Sequence, residues 1–425
     1  LNAPDHLAQR RFAIEIVTQL RAAGFVAYWA GGCVRDELLG RTPKDYDVAT
    51  SARPEEIRNL FGHRRTLAIG EAFGVIAVLG PKPAGMVEAT TFRRDGGYTD
   101  GRRPDAVEFT DAEEDARRRD FTMNALFFDP VKNEVIDYVG GQADIEVGVV
   151  RAVGDARIRF AEDKLRMLRA VRMASRFGFV LDDDTFDALR VAAHEITLVS
   201  PERIAQEMRA ILGKPGQTEA AKLLMSSGLI EAILPELMPL AETAGPNDWD
   251  RTLAVLAEQE RSAGDFPFAT SFALGLAALL HAAGDPTLVG RVANRWRLSN
   301  TERDDASWFV ANQDRLVDAA AQPWSVVQPI LADPRAAELV SLVEAKARAA
   351  DRPLDDVRFC HDKLTLPSAE LDPPPLFTGY DLIAAGLKPG RNFSHIITAL
   401  RAAQLDGEIR TRDEAIALAR TMFGS

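Results

Sequence analysis

The spacing of apolar residues changes character along the chain, and the change divides it. Between residues 11 and 23, Phe12, Ile16, Val17 and Leu20 recur at helical intervals, which predicts an amphipathic helix stopped at Gly24. The run "FVAYWA" then predicts a strand, "YDVAT" a second strand, and "RPEEIRNLF" a helix with proline at its start. "FGVIAVLG" and "GMVEATTF", set apart by glycine and proline, predict further strands. "DARRRDFTMNALFF" predicts a helix, "NEVIDYVGG" a short strand and turn, and beyond Phe160 strand signals nearly vanish. Helical spacing recurs in "FAEDKLRMLRAVRMASRF", "DDDTFDALRVAAHEI", "SPERIAQEMRAIL" and "TEAAKLLMSSGLIEAIL", and continues past Phe272. Proline-rich breaks at "LPELMPL" and "LPSAELDPPPLF" predict boundaries inside this helical part, and no internal repeat stands out. The expected class is α+β, a mixed α/β head followed by a long helical portion.

Composition narrows the picture without naming a chemistry. A chain of 425 residues exceeds what one core usually supports, so two to four domains are expected. No apolar run reaches the roughly 18 residues of a membrane span, and the first residues lack the order of a signal peptide, so a cytoplasmic protein with no membrane partner is expected. Cys33 and Cys360 are far apart and the six histidines are scattered, which argues against a disulfide framework or a thiolate zinc site. A net charge of −12 gives no global attraction to nucleic acid, so any such partner must be held by local basic surfaces.

Candidate chemistry concentrates in "WAGGCVRDELLGRTPKDYDVAT", residues 29–50. Asp45 and Asp47 stand two apart on a predicted strand, so both carboxylates share a face. Hard oxygen donors on one rigid face suit Mg²⁺, which takes one or two carboxylates and completes its shell with water and substrate phosphate. Alone, such a pair is more often an exposed strand edge. Gly31 and Gly32, between a strand and a helix, allow backbone N–H groups to face a phosphate, and Arg35 one turn on adds a guanidinium to the same triphosphate. Glu88, on a strand able to run beside the pair, is a candidate third acid for the attacking hydroxyl's proton or a second metal.

Two later segments extend the candidate set. In "RRRDFTMNAL", Asp120 and Asn124 are four apart and suited to ribose hydroxyls, with Arg119 beside them for phosphate. In "EDKLRMLRAVRMASR", Asp163, Arg166, Arg169 and Arg172 step by three along one side, with the acidic pair Glu162 and Asp163 at the head. A carboxylate accepts from an exocyclic amino group while a guanidinium donates to the adjacent ring nitrogen. Adenine and cytosine both present that pattern, so Asp163 and Arg166 could admit ATP and CTP and refuse GTP and UTP.

These motifs, in this order and spacing, resemble the class II tRNA nucleotidyltransferases, the CCA-adding enzymes, a family allied to bacterial poly(A) polymerases. The matches are "GGCVRDELLG", "KDYDVAT", "RRDFTMNA", "GDARIRF" and "EDKLRMLR". The resemblance implies a polymerase-beta-like head at 1–148, a helical neck with an amino-acid template at 149–238, a helical body at 239–350 and a tRNA-binding tail at 351–425. It implies that Asp45 and Asp47 bind catalytic Mg²⁺, and that Gly32, Arg35, Arg119, Arg169 and Arg172 contact the nucleotide. Asp120 would read the ribose, and Glu162, Asp163 and Arg166 would select the base. Residues 90–109 resemble the flexible loop linked to the change from C to A addition, which argues against a CC-only enzyme. The implied reaction extends the tRNA 3′ end from CTP and ATP, by CCA or by the terminal A alone, with release of pyrophosphate. A poly(A) polymerase and a silent RNA-binding relative are the alternatives. "LAALLHAAGDPTL" resembles a degenerate metal phosphohydrolase helix in which His281 is followed by alanine, so no metal is expected there. In the tail, Lys388, Arg391 and Arg401 are candidate contacts to tRNA phosphates. A monomer or homodimer is expected.

Overall fold

The computed structural model describes residues 5–96, 107–241, 248–262, 271–283, 285–384 and 393–423. Helix α1 (His6–Ala22) begins five residues before the predicted start, because the Asp5 side chain caps it by accepting from the N–H groups of Leu7 and Ala8. Its predicted apolar stripe, Phe12, Ile16, Val17 and Leu20, is buried. Strand β1 (Ala27–Ala30) and helix α2 (Gly32–Leu38) follow, then β2 (Asp47–Thr50), α3 (Pro54–Phe61), β3 (Thr66–Gly70), β4 (Val75–Leu79) and β5 (Met86–Thr91). Strands β6 (Arg93–Asp95) and β7 (Val107–Phe109) pair antiparallel on either side of residues 97–106, so half of the predicted flexible loop lies outside the described residues. After α4 (Ala112–Arg117) come β8 (Phe127–Asp129) and β9 (Glu134–Ile136).

Among the described residues seven of these strands form one sheet, in the order β3-β4-β5-β2-β1-β8-β9. Strand β1 lies antiparallel to both β2 and β8, and the pair β2 and β5 is parallel with Asp47 opposite Glu88. The side chains of Trp29 and Val48, on these central strands, are fully buried.

Three local expectations change. Asp45 precedes β2 rather than standing on it, with Tyr46 buried between the two aspartates. The helix expected through "DARRRDFTMNALFF" ends at Arg117. Asp120 sits in a bend, and residues 122–124 form a single 3₁₀ turn. Phe121 forms a bridge to Ala152 there, so tertiary pairing interrupts the helical periodicity. The helix expected through "EDKLRMLRAVRMASR" is broken at Asp163, whose backbone is extended at φ −143°.

Helices α5 (Gly141–Val147), α6 (Ala156–Glu162) and α7 (Arg166–Phe177) flank that break, followed by α8 (Asp183–Ala192) and α9 (Pro201–Leu212). Contacts group the chain into two units, Leu1–Ile211 with Glu219–Pro235, and Leu212–Thr218 with Glu236–Ser425. The division at Pro235 falls in the predicted "LPELMPL" break. The head and most of the neck of the four-part reading lie in the first unit, and the body and tail in the second. The second unit is helical throughout its described residues, with its own apolar cluster around Phe377, Ile396, Leu400 and Ala415 near the end of the chain. His281 is buried there, its Nδ1 2.7 Å from the Ala278 carbonyl oxygen. No helix among the described residues is long and apolar enough to cross a membrane.

Candidate active site

The first unit holds a cavity of about 540 Å³ whose wall combines the sheet with α2, α7 and the bend before the 3₁₀ turn. Of the head and neck residues singled out in the sequence, all but Asp45 and Glu162 line it. The cavity therefore gathers segments more than a hundred residues apart.

The β2–β5 register puts Asp47 beside Glu88 on one face of two parallel strands. Burial, then the charges of Asp45 and Glu88, push the Asp47 carboxyl up to about 7. Among the described residues no lysine or arginine is ion-paired with Asp45, Asp47 or Glu88. Nor do three His, Cys, Asp or Glu side chains converge into a complete metal cage. Uncompensated acids short of a full cage fit a divalent cation that keeps most of its shell for water and phosphate oxygens.

Gly31 opens α2 at φ 72°, a conformation that favours glycine, and a Cβ there would stand 2.9 Å from Nη1 of Arg119. Its N–H donates to the carbonyl of Leu126, so the phosphate role expected for the glycine pair's backbone does not extend to Gly31. Gly32 and Gly31 both border the cavity. Arg35 is buried, donates to Asp36 at 2.7 and 2.9 Å and to Oδ1 of Asn124 at 2.6 Å, and lies over the ring of Phe177. Burial lowers the pKa of its guanidinium.

Arg119 donates to Asp115 and, through Nη1, to the carbonyl of Asn124. Asp115, which the sequence reading missed, is buried and also holds Arg118 at 2.7 Å. Burial opposes its charge, yet Arg119 and Arg118 keep its pKa below the usual carboxylate range. Asp120 accepts from Asn124 Nδ2 at 3.2 Å and from Arg169 Nε at 2.8 Å. The two predicted ribose readers therefore do meet, through a bend rather than a helix. Burial raises the Asp120 pKa, but Arg169 and then Asn124 outweigh it and bring it to about 2.

At the break between α6 and α7, Asp163 accepts from the N–H of Leu165 through one oxygen and from Arg203 Nη2 at 2.7 Å through the other. Arg166 donates to Glu162 at 2.6 Å and to the carbonyls of Arg159 and Arg118. Glu162 thus stands behind Arg166, off the cavity wall. Arg172 pairs with Glu207 at 2.6 Å. Arg203 and Glu207, both on α9, are a second pair that the sequence reading missed. In the second unit Arg401 pairs with Asp372 at 2.7 Å and with Gln404, while Lys388 and Arg391 lie outside the described residues.

Comparison with known proteins agrees with this geometry. Residues 27–151 match the family described as Poly A polymerase head domain, and residues 178–240 the one described as a probable RNA and SrmB binding site of polymerase A. The chain is 36% identical over 417 residues to a CCA-adding enzyme of Geobacillus thermodenitrificans, covering 95% of each protein. It is 33% identical over 414 residues to one of Streptococcus mutans, again with 95% of each covered. The crystal structure of the Bacillus stearothermophilus CCA-adding enzyme in complex with CTP superposes with a TM-score of 0.75 at 30% identity, covering 97% of both chains. The Thermotoga maritima CCA-adding enzyme complexed with tRNA shares the fold, with a TM-score of 0.66 at 19% identity. With the cavity built from its motifs and these likenesses running over nearly its full length, the chain belongs to the family of CCA-adding enzymes.

Proposed function

We propose that this chain extends the 3′ end of tRNA with C, C and A from CTP and ATP, without a nucleic-acid template. The observation that carries the reading is one cavity with unpaired acids, Asp47 and Glu88, on its sheet wall and Asp163 with Arg166 at its helical end. The reaction forms a bond between the tRNA 3′ oxygen and the α-phosphorus and breaks the bond to the departing pyrophosphate. Asp45 and Asp47 are the ligands for Mg²⁺, which when bound supplies positive charge to the triphosphate and the attacking oxygen. Glu88, in register with Asp47, is the acid placed to take the hydroxyl proton.

Gly32, Arg35 and Arg119 hold the nucleotide at the α2 end, Gly31 letting Arg119 approach. Asp120 and Asn124 meet the ribose, with Arg169 keeping Asp120 ionised as an acceptor. Asp163 accepts from the exocyclic amino group of cytosine or adenine, and Arg166, braced by Glu162, donates to the neighbouring ring nitrogen. Arg172 adds a further nucleotide contact, and Lys388, Arg391 and Arg401 contact the tRNA backbone. The four-part division into head, neck, body and tail gives the base-reading role to the neck and tRNA holding to the tail.

The test supplies purified protein and Mg²⁺ with single nucleoside triphosphates and tRNAs ending before CCA, after C or after CC. Addition of C to the first two and A to the last is expected, with none when Mg²⁺ is left out. A-addition alone would reduce the activity to terminal adenylation, long A tracts would indicate poly(A) synthesis, and no incorporation would overturn the reading.

A further inference from the structure

The arginines on the cavity wall treated so far each carry a carboxylate partner: Arg35 has Asp36, Arg118 and Arg119 share Asp115, and Arg166, Arg169 and Arg172 have Glu162, Asp120 and Glu207. Arg93 pairs with Asp95. Arg176 lines the same cavity and is exposed, yet among the described residues it has no ion pair. It continues the row of Arg166, Arg169 and Arg172 by one more turn of α7, about 15 Å along the axis from Arg166.

Beside it stands a second cation of the same kind. Arg41 lies in the turn after α2, its backbone N–H held by the carbonyl of Asp36 at 2.8 Å. Its side chain is exposed and has no carboxylate partner among the described residues. Both guanidiniums meet the ring of Phe177, Arg41 at 4.8 Å and Arg176 at 5.4 Å from its centroid. Stacking on a ring orients a planar guanidinium without consuming its N–H donors, which stay available to a ligand. Arg35 lies over the same ring at 4.5 Å. Three cations thus surround one aromatic side chain, and of the three only Arg35 is ion-paired, with Asp36. In a chain of net charge −12 this local positive excess is repulsive on its own and is relieved by an anion.

We propose that Arg41 and Arg176, held against Phe177 at the rim of the cavity, bind backbone phosphates of the tRNA's 3′-terminal strand as it enters the site. This rests on the tRNA substrate proposed above. The chemistry recognised is phosphate, which the nucleoside triphosphate also carries. The RNA is favoured because Arg41 is not part of the cavity wall: a ligand touching both arginines must leave the cavity, as a polymer does and a nucleotide held inside does not.

The test compares the wild type with the Arg41→Gln, Arg176→Gln double variant and with an Arg41→Lys, Arg176→Lys variant that keeps the charge. Binding of fluorescently labelled tRNA ending in CC is followed by anisotropy across a salt series, without nucleotide, and addition of A is then measured with tRNA and ATP varied separately. Two lost contacts at about 0.7 each should lower the slope of log affinity against log salt by about 1.4, so that over a roughly fourfold rise in salt the wild type loses about sevenfold more affinity than the Gln variant. The KM for tRNA should rise about tenfold at low salt, with kcat and the KM for ATP within about twofold of wild type, and the Lys variant should restore most of the salt slope. A rise in the KM for ATP with unchanged tRNA binding would reassign the pair to the triphosphate and overturn the proposal. An unchanged salt slope in a Gln variant that melts like the wild type would do the same. If the Gln variant does not fold, a Lys variant whose slope falls as far as an uncharged pair predicts counts against it. Wild-type protein that binds tRNA but adds nothing would instead count against the enzymatic reading.

Discussion

The two walls of the cavity treat charge in opposite ways. On the sheet side Asp47 and Glu88 face the cavity with no ion-paired base among the described residues, and burial, then the charges of Asp45 and Glu88, push the Asp47 carboxyl up to about 7 against the charge of Arg119. On the helical side every group expected to touch sugar or base is already paired, Asp120 with Arg169, Asp163 with Arg203, Arg166 with Glu162 and Arg172 with Glu207. An unpaired acid cluster is unfavourable until a cation arrives, which is why the proposed function gives it a cation to hold. A paired set is stable before substrate comes, and a base is accepted only if it shares or replaces bonds that already exist. The proposed function accordingly assigns chemistry to the first wall and selection to the second.

That division is broken most severely at Asp47. Asp47→Asn keeps the shape and removes a charge from the acid cluster, and A-addition should fall by at least about a thousandfold, mostly in kcat, while binding of ATP to the helical wall persists. Equilibrium nucleotide binding beside single-turnover rates separates the two walls, and parallel loss of both would show that they are not independent. Next in size is Asp163→Ala, which removes the proposed acceptor for the exocyclic amino group. Discrimination of ATP and CTP against GTP and UTP should fall on the order of a hundredfold, since a good bidentate base contact contributes about 1–3 kcal/mol of selectivity. An equal loss of rate with all nucleotides would remove Asp163 from base reading.

How far this was legible in the chain depends on whether an interaction is local. Asp47, the glycine pair and Arg35 fall within one strand-helix-strand segment, so their spacing alone grouped them, while Asp45 in the same segment stays off the cavity wall. Glu88 needed a parallel pairing between β2 and β5, which periodicity cannot fix, and its place beside Asp47 emerges from the register. The break at Asp163 was hidden because Phe160 before it and Leu168 and Val171 after it keep to one helical face across it. The carboxylate instead takes the N–H of Leu165, a side-chain bond that competes with helix continuation. Arg203 and Glu207 were missed for the converse reason. Four residues apart on one helix, they look like a self-contained surface pair, whereas each reaches an opposite charge on another segment.

The paired wall also leaves a signature in acid. The folded Asp120 pKa, about 2, lies below its unfolded value, so its contribution to stability is complete above about pH 4 and is lost as pH falls towards 2. The amount is on the order of 2 kcal/mol. Asp120→Asn should therefore lower stability at neutral pH and flatten the decline between about pH 4 and 2 in denaturant titrations. A decline as steep as in the wild type would place the acid sensitivity elsewhere.

The smallest and most discriminating effect is expected at Arg203, which touches no cavity surface of its own and acts through Asp163. The Arg203 and Asp163 side chains are only 17% and 16% exposed, so their bond at 2.7 Å is more than a screened surface pair. Without Arg203 the Asp163 carboxylate keeps the N–H of Leu165 but loses the Nη2 bond that fixes its second oxygen. It can then turn, and a rotated acceptor meets the wrong base nearly as well as the right one. Arg203→Ala should raise misincorporation of GTP and UTP about fivefold, equivalent to about 1 kcal/mol, with kcat for ATP nearly unchanged. Arg203→Lys keeps the charge without the planar guanidinium and should fall between the two. A merely structural role would lower stability and rate for all four nucleotides together, so a shift in their ratio at constant kcat marks Arg203 as positioning the base reader.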